Sequence, residues 1–307
     1  MSQTTRAASA PASAEAVPRG GARVRRVALD YLALTKPKVQ SLLLLTTVTT
    51  MEVAGNPSLK LIVLACLGGY LSAGGAGAVN HYWDRDIDAR MERTASRPVP
   101  SGRIAPRSAL WFGIALAALS FLELSLTVNV LAAFLALSGF VGYVFVYTIW
   151  LKRSTPQNIV IGGAAGAVPP LVGWAAVRGS IGWSALYLFA IVFYWTPPHF
   201  WALSLLMKEE YAKVGVPMMP VVRGEHETRR QIFLYSGLLV AISLLPFAGG
   251  LFGGIYAVSA ALLGGAFLTL AYVLQREAER RAALRLYLFS LLYLALLFCA
   301  MVLDVKI

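Results

Sequence analysis

The chain has 307 residues, of which 58% are hydrophobic and only 14% are charged. An average soluble domain carries about 25% charged residues, so this composition excludes a water-soluble globular protein. In a soluble protein, a net charge of +12 would suggest a nucleic-acid ligand. Here the positions of the basic residues along the chain, described below, argue against a nucleic-acid-binding protein.

The first distinct segment is residues 1–27, which is rich in Ala, Ser, Pro, Gly and Arg. It lacks an apolar stretch, so it is not a secretory signal peptide. Its Arg and Ser content weakly resembles an organelle transit peptide, and this alternative stays open. Because such a composition cannot bury a core, we predict a disordered cytoplasmic tail at 1–27 and a polytopic membrane domain over 28–307.

Nine apolar segments follow, each close to the roughly 20 residues that cross a bilayer as a helix. They span about 30–54, 58–80, 108–126, 128–150, 158–178, 181–206, 230–249, 252–275 and 284–304. With the N-terminus in the cytoplasm, 24 of the 27 Lys and Arg residues fall on that side, and only Lys60, Arg178 and Lys306 fall on the other. This positive-inside distribution predicts an all-α membrane protein with nine transmembrane helices, N-terminus inside and C-terminus outside. It also accounts for the basic charge without nucleic acid.

The loops and the prolines predict where the chemistry lies. Two long polar loops, about 81–107 and 207–229, both lie on the basic side, whereas the loops on the other side are short. A transporter usually places its site near the bilayer midplane, where this sequence carries almost no charge. The pairs Pro169-Pro170 and Pro197-Pro198 are expected to kink or break their helices, which a membrane tolerates only beside protein or a cavity. We therefore predict a bundle around a central cavity with its site at the cytoplasmic surface.

The sharpest polar motif begins at the cytoplasmic end of the second predicted helix. Asn80, Asp84 and Asp88 are spaced i, i+4 and i+8, so they share one face if the helix continues. Carboxylates at this spacing repel each other, and a divalent cation such as Mg²⁺, which takes one or two carboxylates plus substrate phosphates, would offset that repulsion. The alternative is a solvated helix end whose acids pair with arginines such as Arg85 and Arg90.

This motif resembles the aspartate-rich motif of the UbiA-type intramembrane prenyltransferases, which holds Mg²⁺ and the diphosphate of an isoprenoid donor. The blocks 147–170, reading YTIWLKRSTPQNIVIGGAAGAVPP, and 195–203, reading WTPPHFWAL, followed by Tyr211 and GVPMMPVV at 215–222, resemble the branch of that family that farnesylates protoheme IX. The resemblance covers about residues 30 to 300 and leaves out the tail.

The resemblance implies that Asn80, Asp84 and Asp88, together with Glu210, bind Mg²⁺ on farnesyl diphosphate in the bilayer. The residues implied to neutralise the leaving group or to contact the substrates are Arg85, Lys152, Arg90, Arg153, Tyr147, Asn158, His199, Trp201 and Tyr211. The implied acceptor is heme B, whose vinyl group attacks the allylic carbon, and water addition then gives heme O. Heme A synthase and terminal-oxidase assembly proteins are the expected protein partners.

Several alternatives remain at this point. Lys152 and Arg153 can bind diphosphate or simply anchor the chain at the membrane surface. His199 can contact the substrate, ligate iron or hydrogen-bond the helix backbone, and the aromatic residues can form an interfacial belt or line a prenyl channel. The family usually offers an aspartate before Tyr211, where this chain has Glu210, which keeps the carboxylate on a longer arm.

The function therefore has two rivals to the farnesylation of heme B. One is a related prenyltransferase with another acceptor, such as an aromatic acid, a quinone precursor or a chlorophyllide. The other is a heme or lipid transporter without catalysis. Because the chain is short and its transit signal is poor, we expect the plasma membrane of a bacterium and not an inner mitochondrial membrane.

Overall fold

The computed structural model describes residues 20–307, and every regular element in that range is helical. The helices are α1 Gly20–Leu34, α2 Pro37–Ala54, α3 Leu59–Trp83, α4 Arg85–Asp88, α5 Pro106–Thr127, α6 Val130–Val141, α7 Asn158–Gly166, α8 Val168–Arg178, α9 Trp183–Leu206, α10 Lys208–Lys213, α11 Met219–Val222, α12 Gly224–Ala248, α13 Gly254–Glu277 and α14 Arg280–Lys306. The predicted all-α class is therefore confirmed.

Within residues 20–307, seven helical stretches are long and apolar enough to cross a membrane, which makes the chain a multi-pass membrane protein. They are α3, α5, the helix Val130–Arg153 that α6 begins, the stretch Asn158–Arg178 that α7 and α8 share, α12, α13 and α14. The other two predicted spans correspond to α2 and α9. The sequence of α2 contains four threonines, and α9 contains His199 and two prolines, so both have a lower mean hydropathy than the seven.

The structure corrects the prediction at the start of the chain. The predicted helix 30–54 is two helices, because Lys36 adopts a left-handed conformation with φ 54° and α2 begins at Pro37. A residue before proline is disfavoured in the right-handed helical region, which explains the break. Helix α1 begins at Gly20, so residues 20–27 of the predicted tail are helical. The rest of that tail, residues 1–19, lies outside the described residues.

Two further predicted spans deviate from a regular α-helix. After α6 the chain continues as a π-helical stretch, Gly142–Trp150, and a short 3₁₀ turn, Leu151–Arg153. The predicted helix 158–178 is interrupted at Ala167, directly before Pro169-Pro170. The second proline pair does not break its helix, because Pro197 and Pro198 lie inside the continuous helix α9, and the predicted kink there stays a prediction. The hydroxyl of Thr196, just before them, donates to the carbonyl of Val192 at 2.8 Å.

Close helix packing positions the cytoplasmic end of α3. Gly75 on α3 faces Gly113 on α5, and a Cβ built on Gly75 would lie only 2.6 Å from the carbonyl oxygen of Gly113. Serines also join the two helices, since the Ser120 hydroxyl donates to the carbonyl of Gly68 at 2.7 Å. Small residues at such contacts let helix backbones approach each other in a membrane.

This contact gives the first prediction. Gly75→Ala should lower the free energy of unfolding by about 1–3 kcal/mol, because the added methyl group overpacks a backbone contact. Gly69→Ala on the same helix is the matched control, since nothing lies within 4 Å of its added Cβ. Thermal unfolding in detergent measures both variants. An equal Tm for the two would contradict the packing described for Gly75.

At the end of the bundle opposite the predicted site, the last residues of the chain contact two other parts of the fold. Lys306 donates to Asn56 Oδ1 at 2.7 Å and pairs with Glu52 at 2.9 Å, both beside the loop between α2 and α3. Asp304 accepts the backbone N–H groups of Gly253 and Tyr256 at the start of α13. The C-terminal turn of α14 therefore links the first and last parts of the bundle.

Candidate active site

Three polar side chains of the predicted motif are buried together where α3 ends. Asn80, Asp84 and Asp88 are 3%, 1% and 3% exposed. The backbone keeps its helical hydrogen bonds through the junction with α4, from Asp84 N to Asn80 O at 2.9 Å and from Asp88 N to Asp84 O at 2.8 Å. The Asn80 amide nitrogen donates to Asp84 Oδ2 at 2.6 Å. The spacing therefore does bring Asn80 and Asp84 into direct contact.

Asp84 also receives cations from the turn after the π-helical stretch. Lys152 donates to Asp84 Oδ2, and Arg153 Nη2 lies 3.6 Å from Asp84 Oδ1. Arg153 additionally forms a bidentate pair with Asp86, at 2.7 and 2.8 Å. These hydrogen bonds from Arg153 lower the pKa of Asp86 to about 2. The pairs hold α4 against the segment 151–153.

Asn80 is held from two other elements that the sequence motif did not indicate. Lys36 Nζ, at the break between α1 and α2, donates to Asn80 Oδ1 at 2.7 Å and to the Tyr143 hydroxyl at 3.3 Å. On the other side the Asn80 amide donates to Thr148 Oγ1 at 3.2 Å. Tyr143 and Thr148 both belong to the π-helical stretch, so the amide is fixed between the first and fourth predicted spans.

Asp88 has its own cation as well. Arg97 Nη1 donates to Asp88 Oδ2 at 2.7 Å, and the side chain of Asp88 is 4% exposed. The Thr94 hydroxyl donates to the Asp88 carbonyl at 2.9 Å, which fixes the loop that carries Arg97. An arginine therefore does pair with an acid of the motif, but it is Arg97 and not the predicted Arg85 or Arg90.

Glu210 and Tyr211 lie on α10, in the second long loop. Glu210 Oε2 is buried without a hydrogen-bond partner among residues 20–307, and so is Asp84 Oδ1. Burial raises the pKa of Tyr211, and the charges that act on its phenol include Arg93, Glu210 and Asp84. Burial is the largest cause of this shift, so the phenol of Tyr211 lies in a largely buried environment on α10.

The donor set suits Mg²⁺ better than a transition metal. Within residues 20–307 no three His, Cys, Asp or Glu side chains converge on one point. The cluster instead offers two carboxylates and an amide oxygen, and one buried carboxylate oxygen there, Asp84 Oδ1, lacks a hydrogen bond from any described residue. Mg²⁺ takes oxygen ligands and commonly only one or two carboxylates, with substrate phosphates completing its coordination shell.

Two of the predicted basic residues are not brought to this cluster. Arg85 donates to the carbonyl of Tyr82 at 2.6 Å, and its guanidinium lies 4.7 Å from the centre of the Tyr82 ring. The side chain of Arg90 contacts the carbonyl of Asp86 at 3.4 Å. Both arginines are exposed, so they face away from the buried oxygens of Asp84 and Asp88.

Tyr147 and Asn158 line the contact between the π-helical stretch and α7. A Cβ built on Gly162 would lie 2.4 Å from the Tyr147 ring, so the glycine makes room for the tyrosine. Asn158 is fully buried, and its amide donates to the carbonyl of Thr155 at 2.7 Å. Its Oδ1 has no hydrogen-bond partner in the described part of the chain, which leaves one buried acceptor free five residues after Arg153.

His199 and Trp201 lie in an aromatic layer formed by α9, α12 and α14. The His199 ring is stacked between Trp195 at 4.3 Å and Tyr287 at 4.9 Å, measured between ring centres. Its Nδ1 is 2.6 Å from the Ser290 hydroxyl. Trp201 is buried and meets the Tyr235 ring edge to face at 5.1 Å. Over residues 20–307, no hydrogen bond joins this layer to the carboxylate cluster.

The residues that contact the cluster and were not predicted to do so are Lys36, Arg97 and Thr148; Tyr143 was one of the aromatic residues predicted to form an interfacial belt or line a prenyl channel. One signal was available for Lys36, because a lysine directly before Pro37 at the start of an apolar segment marks both a break and an unusual buried charge. Arg97 is one of six basic residues between the second and third predicted spans, and no spacing distinguishes it. Thr148 and Tyr143 depend on the π-helical geometry, which the sequence pattern does not reveal.

Comparison with known proteins gives close relatives in sequence. The chain is 56% identical over 282 residues to the protoheme IX farnesyltransferase of Chloroflexus aurantiacus, covering 91% of this chain and 48% of the relative. It is 54% identical over 289 residues to the protein of the same name from Deinococcus radiodurans, covering 90% of this chain and 92% of the relative. The chain spans about half the length of several such relatives, including two from Roseiflexus at 52%.

Solved structures share the fold. A structure described under the biosynthesis of digeranylgeranylglyceryl phosphate synthase in membranes superposes with a TM-score of 0.76 at 20% identity, over 92% of this chain and 100% of that chain. A UbiA homolog from Archaeoglobus fulgidus bound to DMAPP and Mg²⁺ gives 0.67 at 17% identity, over 89% of this chain and 99% of that chain. The sequence model of the UbiA prenyltransferase family matches residues 42–298. The chain therefore belongs to the UbiA prenyltransferase family.

Proposed function

We propose that this chain transfers a farnesyl group from farnesyl diphosphate to a vinyl group of heme B, with addition of water, and so makes heme O and diphosphate. The observation that carries this proposal is the 54% identity to the Deinococcus radiodurans protoheme IX farnesyltransferase over 92% of that relative's length. The buried cluster of Asn80, Asp84 and Asp88, with Lys36, Arg97 and Lys152 on its oxygens, supports the same chemistry.

The bond changes are as follows. The C1–O bond of farnesyl diphosphate breaks, and its electron pair leaves with the diphosphate. The vinyl group of heme B attacks C1 to form a new carbon–carbon bond, which leaves a cation next to the porphyrin. Water captures this cation and loses a proton, which gives the hydroxyethylfarnesyl side chain. No covalent bond to the protein forms, so the protein acts by positioning and by electrostatic stabilisation.

In this proposal the chain's charged residues stabilise the leaving group. When bound, Mg²⁺ would be held by Asn80, Asp84, Asp88 and Glu210 and would supply positive charge where the diphosphate becomes negative. Lys152 and Arg153 would donate to phosphate oxygens, and we add Lys36 and Arg97 because they already lie on the same cluster. The exposed Arg85 and Arg90 are less suited to this role than the sequence prediction assumed.

The remaining predicted contacts serve the two organic substrates. Tyr147 packs against Gly162 and Tyr143, and Tyr211 lies on α10. In this proposal their rings border the start of the prenyl chain and stabilise a developing allylic cation. Asn158 offers its free buried Oδ1 as an acceptor. His199 and Trp201 belong to the aromatic layer, which we propose as an apolar wall for the porphyrin or the prenyl tail.

A direct test uses the purified protein with heme B, farnesyl diphosphate and Mg²⁺, followed by chromatography and mass spectrometry of the hemes. We expect heme O and one diphosphate for each heme consumed. A panel with an aromatic acid, a quinone precursor and a chlorophyllide in place of heme B is the control. Prenylation of one of these acceptors with heme B left unchanged would contradict the proposed acceptor. Absence of diphosphate release with every acceptor would contradict the transferase reaction itself.

We also propose that α2 and α9 cross the membrane, which gives nine spans with the cluster on the cytoplasmic side of the plasma membrane. Helix α9 packs against α12 and α14, and α2 packs against α8 and α14, so both run among apolar neighbours. The 18 residues of α2 extend about 27 Å at 1.5 Å per residue, close to the hydrocarbon thickness. The division into a cytoplasmic segment at 1–27 and a membrane domain at 28–307 remains part of this proposal, and so do heme A synthase and the oxidase-assembly proteins as partners.

The orientation gives a second prediction. In a background that lacks Cys66 and Cys299, Glu209→Cys should react with a membrane-impermeant maleimide only from the cytoplasmic side. Arg178→Cys should react only from the opposite side, because the positive-inside distribution places its loop there. Labelling of intact cells and of inverted vesicles, read by gel shift, measures both. Labelling of both cysteines from the same side would contradict the nine-span topology.

A further inference from the structure

The polar oxygens of the cluster already carry contacts from cations of the chain itself. Lys36 donates to Asn80 Oδ1, Lys152 donates to Asp84 Oδ2, and Arg97 donates to Asp88 Oδ2. Asp84 Oδ2 also accepts from the Asn80 amide. Asp84 Oδ1 has no hydrogen bond within residues 20–307, but a divalent cation that also binds the Asn80, Asp84 Oδ2 or Asp88 Oδ2 oxygens has to compete with these ammonium and guanidinium groups.

The charge balance of the cluster adds to this competition. With their side chains protonated, Lys36, Arg97 and Lys152 bring three positive charges to the cluster, against two negative charges on Asp84 and Asp88, which leaves a net charge of +1. A divalent cation alone would raise this charge to +3 among side chains that are largely buried, where charge repulsion is poorly screened. A diphosphate brings several negative charges, so a metal–diphosphate pair leaves the cluster close to neutral.

We propose that this site takes up its divalent cation only together with a diphosphate, and that Lys36, Arg97 and Lys152 move from the ligand oxygens to the phosphate oxygens as the pair binds. The proposal rests on the proposed function in its use of a diphosphate substrate, and it adds an order of loading. The three cations thus have opposite effects on the two components: they oppose the metal and favour the diphosphate.

The test measures the two components separately. Purified protein in detergent is titrated with Mn²⁺ alone, followed by the electron paramagnetic resonance signal of free Mn²⁺, and with labelled inorganic diphosphate alone by equilibrium dialysis. For Lys36→Met we expect Mn²⁺ to bind about tenfold more tightly and diphosphate about tenfold more weakly than in the wild type, within the usual range of coupling between sites. Wild-type protein dialysed against Mn²⁺ should retain it only when diphosphate is present.

Lys38→Met is the matched control. Lys38 is exposed on the first turn of α2, and both affinities should stay at the wild-type values. Lys152→Met is a second variant that removes the cation from Asp84, and it should shift both affinities in the same directions as Lys36→Met. This variant keeps the test decisive if Lys36→Met does not fold.

The outcomes separate the inference from the proposed function. If wild-type protein makes heme O but binds Mn²⁺ equally well with and without diphosphate, the order of loading is wrong and the proposed function stands. If the variants weaken both components, the cations do not compete with the metal, and the inference is again wrong. If wild-type protein binds neither component and makes no heme O, both the inference and the proposed function are wrong.

Discussion

Asp84→Asn should lower the rate of farnesyl transfer by about 10²–10³-fold, the usual cost of removing one group that stabilises developing charge. Asp84 is the most buried carboxylate of the cluster, and it contacts Asn80, Lys152 and Arg153. The asparagine side chain in the variant has nearly the same shape as aspartate, but it lacks the negative charge that attracts a metal ion and pairs with Lys152 and Arg153. The measurement is heme O formation by purified protein at saturating heme B and farnesyl diphosphate.

Asp86→Asn is the control for this experiment, because it makes the same chemical change two residues away. The side chain of Asp86 is 53% exposed and pairs with Arg153 at the surface. Surface pairs of this kind contribute about 0–1 kcal/mol, so the variant should keep its rate within a few-fold of the wild type. If the two variants lose the same amount of activity, the loss comes from the charge of the whole α4 segment and not from a ligand at Asp84.

Removal of divalent cations should stop the reaction to the level of the uncatalysed background. After treatment with EDTA and desalting, we expect Mg²⁺ to restore activity fully and Ca²⁺ to restore it poorly. Ca²⁺ prefers six to eight ligands at longer distances, whereas the cluster offers few oxygens and leaves the rest to the substrate. The rate of heme O formation against the concentration of each cation is the measurement.

Circular dichroism of the EDTA-treated protein accompanies this experiment, because a lost fold would also stop the reaction. We expect an unchanged helical spectrum, since Lys36, Arg97 and Lys152 already neutralise the polar oxygens without a metal ion. Full activity in excess EDTA would contradict the metal-dependent mechanism. Loss of helical signal together with activity would instead assign the ion a structural role.

The sequence predicted the all-α membrane class, because long uncharged runs and the asymmetry of the basic residues act over the whole chain. It also predicted that Asn80 and Asp84 meet, because a spacing of four residues fixes their direction wherever helical hydrogen bonds continue, as they do through Asp84. These inferences depend only on local geometry and on hydropathy.

The sequence did not predict the contacts between distant parts of the chain. Arg97 was not distinguished from Arg85 and Arg90, since a loop has no periodicity that states which arginine folds back onto Asp88. Lys36 reaches Asn80 across 44 positions because of a break at Pro37 that was read as a continuous helix. The two proline pairs look alike in sequence, yet Pro169-Pro170 follows a break and Pro197-Pro198 does not, which depends on the neighbouring helices.

The π-helical stretch Gly142–Trp150 has a consequence for how sequences of this kind are compared. A π turn corresponds to one residue inserted into an α-helix, and each residue turns an α-helix by about 100°. Deleting a single residue between 142 and 150 would therefore rotate Lys152 by about 100° around the helix axis and away from Asp84. The motif residues on either side of the deletion would still all be present. Two chains with identical motifs on either side of this stretch can thus differ in chemistry through one gap, so an alignment that treats the gap as neutral would overlook a change in the direction of the lysine.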